Sequence, residues 1–141
     1  MQYFTDTGAW IVLADKKDRY HQNAKEAYNV ILSRNISLVT TDYIFDETVT
    51  WLRYKIGHTI ATDWGQKLLS SRMVEIVQIY DTYLRPAWNI FQKYSDQKFS
   101  FTDCTSFAVM KALGLDTAFG FDDHFRIMGL NLIPSLSNKK K

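Results

Sequence analysis

The stretch Gln2-Tyr3-Phe4-Thr5-Asp6-Thr7-Gly8-Ala9-Trp10-Ile11-Val12-Leu13 reads as a short apolar strand that ends in Asp-Thr-Gly and turns straight into a helix. Residues 2–6 make the strand and about 7–13 the helix. The pattern repeats outward from there. Residues 21–34 follow a helical period, with Ala24, Ala27, Tyr28, Ile31 and Leu32 on one face. Residues 36–40 form a second strand. Asp42 is placed to N-cap a long helix running to Ile56 and stopped by Gly57, and another helix covers about 59–69. The β-branched run 73–79 is a third strand. A helix at 82–94 has Pro86 in its first turn, where proline is tolerated. A helix at 102–113 ends at Gly114. A fourth strand at 117–121, a short helix at 123–128 and a fifth strand at 131–133 complete the series. Strands alternating with helices predict an α/β fold. The expectation is a single three-layer α/β/α domain with a central, mostly parallel five-stranded sheet. That domain spans 1–136, and 137–141 is a basic tail.

Composition narrows the function classes. With 46% hydrophobic and 15% aromatic residues in 141, one well-filled core is expected, and 23% charged residues suit a soluble protein. The apolar run Ala9–Ala14 is far below the roughly 20 residues that cross a bilayer, and no basic segment precedes it as in a signal peptide. A cytoplasmic location follows as the expectation. One cysteine, Cys104, excludes an internal disulfide and a cysteine-based zinc site. The net charge of +2 permits a polyanionic substrate without demanding one. There is no glycine-rich phosphate loop, no Gly-x-Ser-x-Gly elbow and no His-x-x-x-His spacing, so His21, His58 and His124 are set aside as ligands.

Four acids stand out: Asp6, Glu47, Asp103 and Asp122. Asp6 and Asp122 fall at or just past strand ends and Asp103 opens a helix. Open α/β sheets bind ligands at that edge. Glu47 has Tyr43, Ile44, Thr50 and Trp51 as helical neighbours, none cationic, and sits on a largely apolar face where an unpaired carboxylate is costly. Carboxylates brought together repel and need protons or cations, and a hard divalent cation with oxygen ligands answers that need. Each acid also has a structural reading. Asp6 can cap the following helix. Asp103 can close a capping box from Ser100. Asp122 can pair with Arg126. Glu47 can meet a cation distant in sequence.

These residues resemble the PIN-domain ribonucleases and, within them, the VapC-like toxins of toxin–antitoxin pairs. The resemblance is carried by Asp6-Thr7-Gly8-Ala9-Trp10, Asp46-Glu47-Thr48-Val49, Ser100-Phe101-Thr102-Asp103-Cys104-Thr105-Ser106-Phe107 and Phe119-Gly120-Phe121-Asp122-Asp123-His124-Phe125, in that order over nearly the whole chain. It implies hydrolysis of RNA phosphodiesters with Mg²⁺, or Mn²⁺, held by Asp6, Glu47, Asp103 and Asp122. Asp6 and Asp103 would be direct ligands. Glu47 and Asp122 would act through water or orient the nucleophile. Thr7 matches a hydroxyl that supports the first aspartate, and Gly120 stands where the family often has threonine. The resemblance further implies a homodimer and a small antitoxin partner, for which the aromatic load supplies a surface. Two other readings compete: a PIN-like domain that binds RNA or a partner without catalysis, and a receiver-like phosphoryl-transfer domain.

Overall fold

In the computed structural model, which describes residues 1–136, strand β1 (Gln2–Thr5) runs into helix α1 (Thr7–Ala14), and α2 (His21–Ser33) returns the chain to β2 (Ser37–Thr41). Two helices, α3 (Asp42–Lys55) and α4 (His58–Ser70), then lead to β3 (Val74–Val77). Two more, α5 (Asp81–Lys93) and α6 (Phe101–Leu113), lead to β4 (Thr117–Phe119), and a single turn, α7 (His124–Ile127), precedes β5 (Asn131–Ile133). The basic tail lies outside the described residues.

The strands form one sheet in the order β3-β2-β1-β4-β5, and every neighbouring pair is parallel. Phe4 of β1 pairs with Val39 on one side and Ala118 on the other. A parallel sheet is covered by helices on both faces, so its strands bury both sides of the pleat. Accordingly Phe4, Leu38, Val39, Ala118 and Phe119 are fully buried. This is the α/β/α sandwich predicted from the alternation. A receiver-like domain has strand order 2-1-3-4-5, so the observed order rules that alternative out.

Below the β1–β4 seam, Phe4, Phe107 and Phe125 pack at centroid separations of 5.5 and 6.3 Å around Phe125, and Phe99 meets Phe107 at 5.1 Å. A fully buried phenylalanine stabilises by about 2–3 kcal/mol, so this cluster fixes α6 and α7 against the sheet. Helix α6 is central: Cys104 through Met110 are all buried.

Several local expectations are corrected. Thr41, not Asp42, caps α3, its hydroxyl accepting the Ile44 amide at 3.0 Å. Asp42 is the first helical residue and ties down the β3–α5 loop by accepting the Ile79 amide at 3.0 Å. Pro86 lies beyond the first turn of α5, on its exposed side, so the helix forgoes one internal hydrogen bond there. Strand β4 ends at Phe119, leaving Gly120 and Phe121 as a link to Asp122. Leu32, placed on the core face of α2, is 37% exposed. Among the described residues, no helix is long and apolar enough to cross a membrane.

Candidate active site

The sheet's crossovers reverse direction at β1 and β4, which is where an open α/β sheet leaves a crevice at its carboxyl edge. Asp6 follows β1 directly. Its amide donates to the Phe119 carbonyl at 3.0 Å, tying the residue to the end of β4. Asp6 occupies the N-cap position of α1, yet its side chain makes no capping hydrogen bond. The structural reading of Asp6 therefore fails, and its carboxylate faces an open cleft of about 890 Å³.

Asp103 meets its structural reading and also lines the cleft. It is the third residue of α6 and completes a capping box: its backbone N–H donates to the Ser100 hydroxyl at 2.9 Å, and its Oδ2 accepts the Ser100 amide at 2.9 Å. The same Oδ2 lies 2.9 Å from His124 Nδ1. Asp122 accepts the His124 amide on Oδ1 at 3.0 Å, an Asx turn that brings its Oδ2 to 3.2 Å from His124 Nδ1. Arg126 pairs with Asp123 at 2.7 Å rather than with Asp122. Asp122 is thus the member of the acidic pair that meets Asp103 and His124.

Glu47 reaches the cleft from α3. It is exposed rather than buried, so the argument from an unpaired buried carboxylate does not hold. What places it at the site is Thr7, whose hydroxyl donates to Oε1 at 2.6 Å. The Thr7 side chain therefore supports Glu47, not the first aspartate.

Crowding of these acids shows in their electrostatics. The Asp6 carboxyl is pushed up from 3.8 to about 7, first by burial and then by the charge of Asp103, with smaller contributions from Asp122 and Glu47; the Thr7 amide opposes the rise. A carboxyl in this state is half neutral at neutral pH unless a cation joins it. The donor set of carboxylate oxygens matches a hard divalent ion such as Mg²⁺ or Mn²⁺. Cys104 is no rival nucleophile, since burial and then Asp103 push its thiol up to about 11.

Gly120 has a packing reason to be glycine. A Cβ built there would lie 3.1 Å from the Asp6 Cβ. The residue lets the end of β4 approach Asp6 closely and so is fitted to this site. Lys98 is the one lysine or arginine on the cleft wall among the described residues, and it is exposed.

His124 is the site residue that sequence reasoning missed. It belongs to no His-x-x-x-His pair. The available signal was Asp122-x-His124 directly after a strand, the spacing at which an Asx turn folds the imidazole back over the carboxylate.

Fold and site together define a parallel α/β domain with an acidic cleft at its switch point. The chain belongs to the PIN domain family, whose model matches residues 3–130. It is 30% identical over 126 residues to the 23S rRNA-specific endonuclease VapC20 of Mycobacterium tuberculosis, covering 89% of this chain and 93% of that protein. The crystal structure of M. tuberculosis VapC20, described as a sarcin-ricin loop cleaving toxin, superposes with a TM-score of 0.84 at 28% identity, over 91% of this chain and 95% of the other. VapBC2 from Rickettsia felis, bound to a DNA fragment from its promoter, shares the fold at TM-score 0.72 and 13% identity, with 94% and 97% of the two chains covered. FitAcB from Neisseria gonorrhoeae does so at TM-score 0.69 and 12% identity, with 95% and 97% covered.

Proposed function

We propose that this protein is a divalent-metal-dependent endoribonuclease, the toxin of a toxin–antitoxin pair, with a ribosomal RNA loop as its substrate class. The observation that carries the reading is the meeting of Asp6, Glu47, Asp103 and Asp122 around one cleft, with the Asp6 carboxyl pushed up to about 7. The substrate class rests on the 30% identity to VapC20, which extends over 89% of this chain. The toxin role is supported by the same relative and by the shared fold of the VapBC2 complex.

Asp6, Asp103, Asp122 and Glu47 would hold Mg²⁺, with Mn²⁺ as the alternative. When bound, the ion acidifies a water and offsets charge developing on the phosphate. The remaining steps belong to the protein. Thr7 holds Glu47 Oε1, so this carboxylate would orient the attacking water. Lys98, exposed on the cleft wall, binds a phosphate oxygen of the RNA backbone. The capping box keeps Asp103 from swinging away as its charge is engaged.

The same reading includes a cytoplasmic location, a homodimer and an antitoxin that covers exposed aromatic surface. Trp88 and Phe91 stack at 5.5 Å while 50% and 41% exposed, a face that suits a partner helix. The same reading bounds the domain at residue 136 and gives Lys139, Lys140 and Lys141 an electrostatic attraction to RNA.

The test is incubation of purified protein with total RNA and with ribosomes in Mg²⁺, Mn²⁺ or EDTA, beside the Asp6→Asn/Asp103→Asn double variant. Metal-dependent fragments from the wild type alone are the expected result, with ends mapping to a 23S rRNA loop. Equal cleavage by the double variant sinks the assignment of the site.

A further inference from the structure

Building on the metal-binding reading above, we propose that His124 is a direct ligand of the cation, which makes the centre a mixed imidazole–carboxylate site that prefers Mn²⁺ to Mg²⁺. His124 Nδ1 stands 2.9 Å from Asp103 Oδ2 and 3.2 Å from Asp122 Oδ2, and the three ligand atoms lie within 4.8 Å of one another. Ligand atoms at about 2.1 Å from an octahedral ion are separated along an edge by about 3.0 Å. The two separations from Nδ1 thus already match that edge.

Position distinguishes this from a supporting hydrogen bond. A histidine that merely orients a liganding carboxylate reaches one carboxylate from behind. Here one ring nitrogen lies close to two carboxylates from different elements, α6 and the β4–α7 link.

The imidazole is also held in place by three separate restraints. The Asx turn from Asp122 fixes its backbone. Phe99, itself buried, packs edge-on against the ring at 5.0 Å. The next residue, Phe125, is fully buried in the phenylalanine cluster. The ring keeps 25% side-chain exposure, which opens it to the cleft.

Metal preference follows from the donor. Mg²⁺ favours oxygen ligands and retained waters, whereas imidazole nitrogen suits transition metals and adds affinity along the Mn²⁺ series.

The test uses pulsed electron paramagnetic resonance on the whole protein loaded with Mn²⁺. Nitrogen modulation from a directly bound imidazole is expected in the wild type. It should change on ¹⁵N-histidine labelling and vanish in His124→Gln. Titration should show Mn²⁺ binding weakened about 10–100-fold by His124→Gln, and Mg²⁺ binding, read by competition, weakened by less than about threefold. Bound Mn²⁺ without nitrogen modulation in the wild type overturns the proposal, as does equal weakening of the two metals. The wild-type spectra need no variant, so a misfolded His124→Gln leaves the test intact. Failure of the wild type to bind Mn²⁺ at all sinks the metal-binding reading itself, a different outcome from Mn²⁺ bound without nitrogen.

Discussion

Asp6→Asn should stabilise the metal-free protein while destroying its activity. The Asp6 carboxyl rises from 3.8 to about 7 in the fold, through burial first and the Asp103 charge second, and the residue is only 6% exposed. A folded-state pKa raised above the unfolded one contributes stability that is complete below the unfolded value and is lost as pH rises through the folded value. The difference is about 3 units, and at 1.36 kcal/mol each it amounts to about 4 kcal/mol once the group is fully ionised. Between about pH 5 and pH 8, wild-type protein in EDTA should lose about 3 kcal/mol on account of Asp6 alone. Asparagine removes the charge but leaves a buried amide with its own desolvation cost, so the net gain at pH 8 is about 2 kcal/mol, or a melting temperature about 6 °C higher. Thermal melts of both proteins in EDTA at the two pH values test this. The expected pattern is near equality at pH 5, the variant ahead at pH 8, and the order reversed when saturating Mn²⁺ binds the wild type. A variant no more stable than wild type at pH 8 in EDTA would refute the claim that burial and neighbouring charge penalise the ionised Asp6.

Three other substitutions probe the surroundings. Thr7→Val removes the 2.6 Å hydrogen bond to Glu47 and should slow cleavage about 10-fold in single-turnover assays while leaving the melting temperature nearly unchanged. Gly120→Thr places a Cβ 3.1 Å from the Asp6 Cβ, an atom next to backbone that cannot swing aside; a loss of about 1–2 kcal/mol in denaturant melts and at least about a 10-fold drop in cleavage are expected. Thr48→Val removes a fully buried hydroxyl that, among the described residues, finds no hydrogen-bond partner, and should raise the melting temperature by about 3 °C at a gain of about 1 kcal/mol.

The central strands were legible because they are covered on both faces and carry short apolar runs, as Leu38-Val39 and Ala118-Phe119 show, while the edge strand β3 exposes Glu75. Strand order is not a local property. Nothing in β3 announces that it pairs with β2 at the sheet edge, and the order came only from the structure. Caps were misread where two polar residues adjoin. Thr41 and Asp42 are both good N-caps, and the choice falls on Thr41 because the Asp42 carboxylate is claimed by the Ile79 amide, a partner 37 residues away. Glu47 was singled out by a burial argument that the exposed side chain contradicts. Its place in the cleft depends instead on Thr7, 40 residues earlier. Such long-range pairings leave no trace in helical periodicity. For His124 the pairing with Asp103, 21 residues upstream, was likewise invisible, and only the local Asp122-x-His124 spacing pointed to it.

Asp103 shows why structural and functional readings of a carboxylate need not compete. Capping explains why an aspartate belongs at the third position of α6, and a cap alone would account for it in isolation. Yet Asp103 Oδ2 accepts the Ser100 amide and faces His124 Nδ1 at the same distance, 2.9 Å. The cap therefore fixes the rotamer that the site needs. A free aspartate side chain would lose rotamer entropy on binding a cation, a cost of order 1 kcal/mol; here that cost is met during folding by the helix terminus. The same economy recurs at Asp122, whose Oδ1 closes an Asx turn while Oδ2 faces the histidine. Each of these two acids accepts a backbone amide and so holds its carboxylate in place, which on the proposed function orders the site before any ion binds. Asp6 has no such side-chain cap and is instead the buried, repelled member. The site thus pairs two pre-set carboxylates with a third, Asp6, whose ionised form a bound cation would favour on the proposed function.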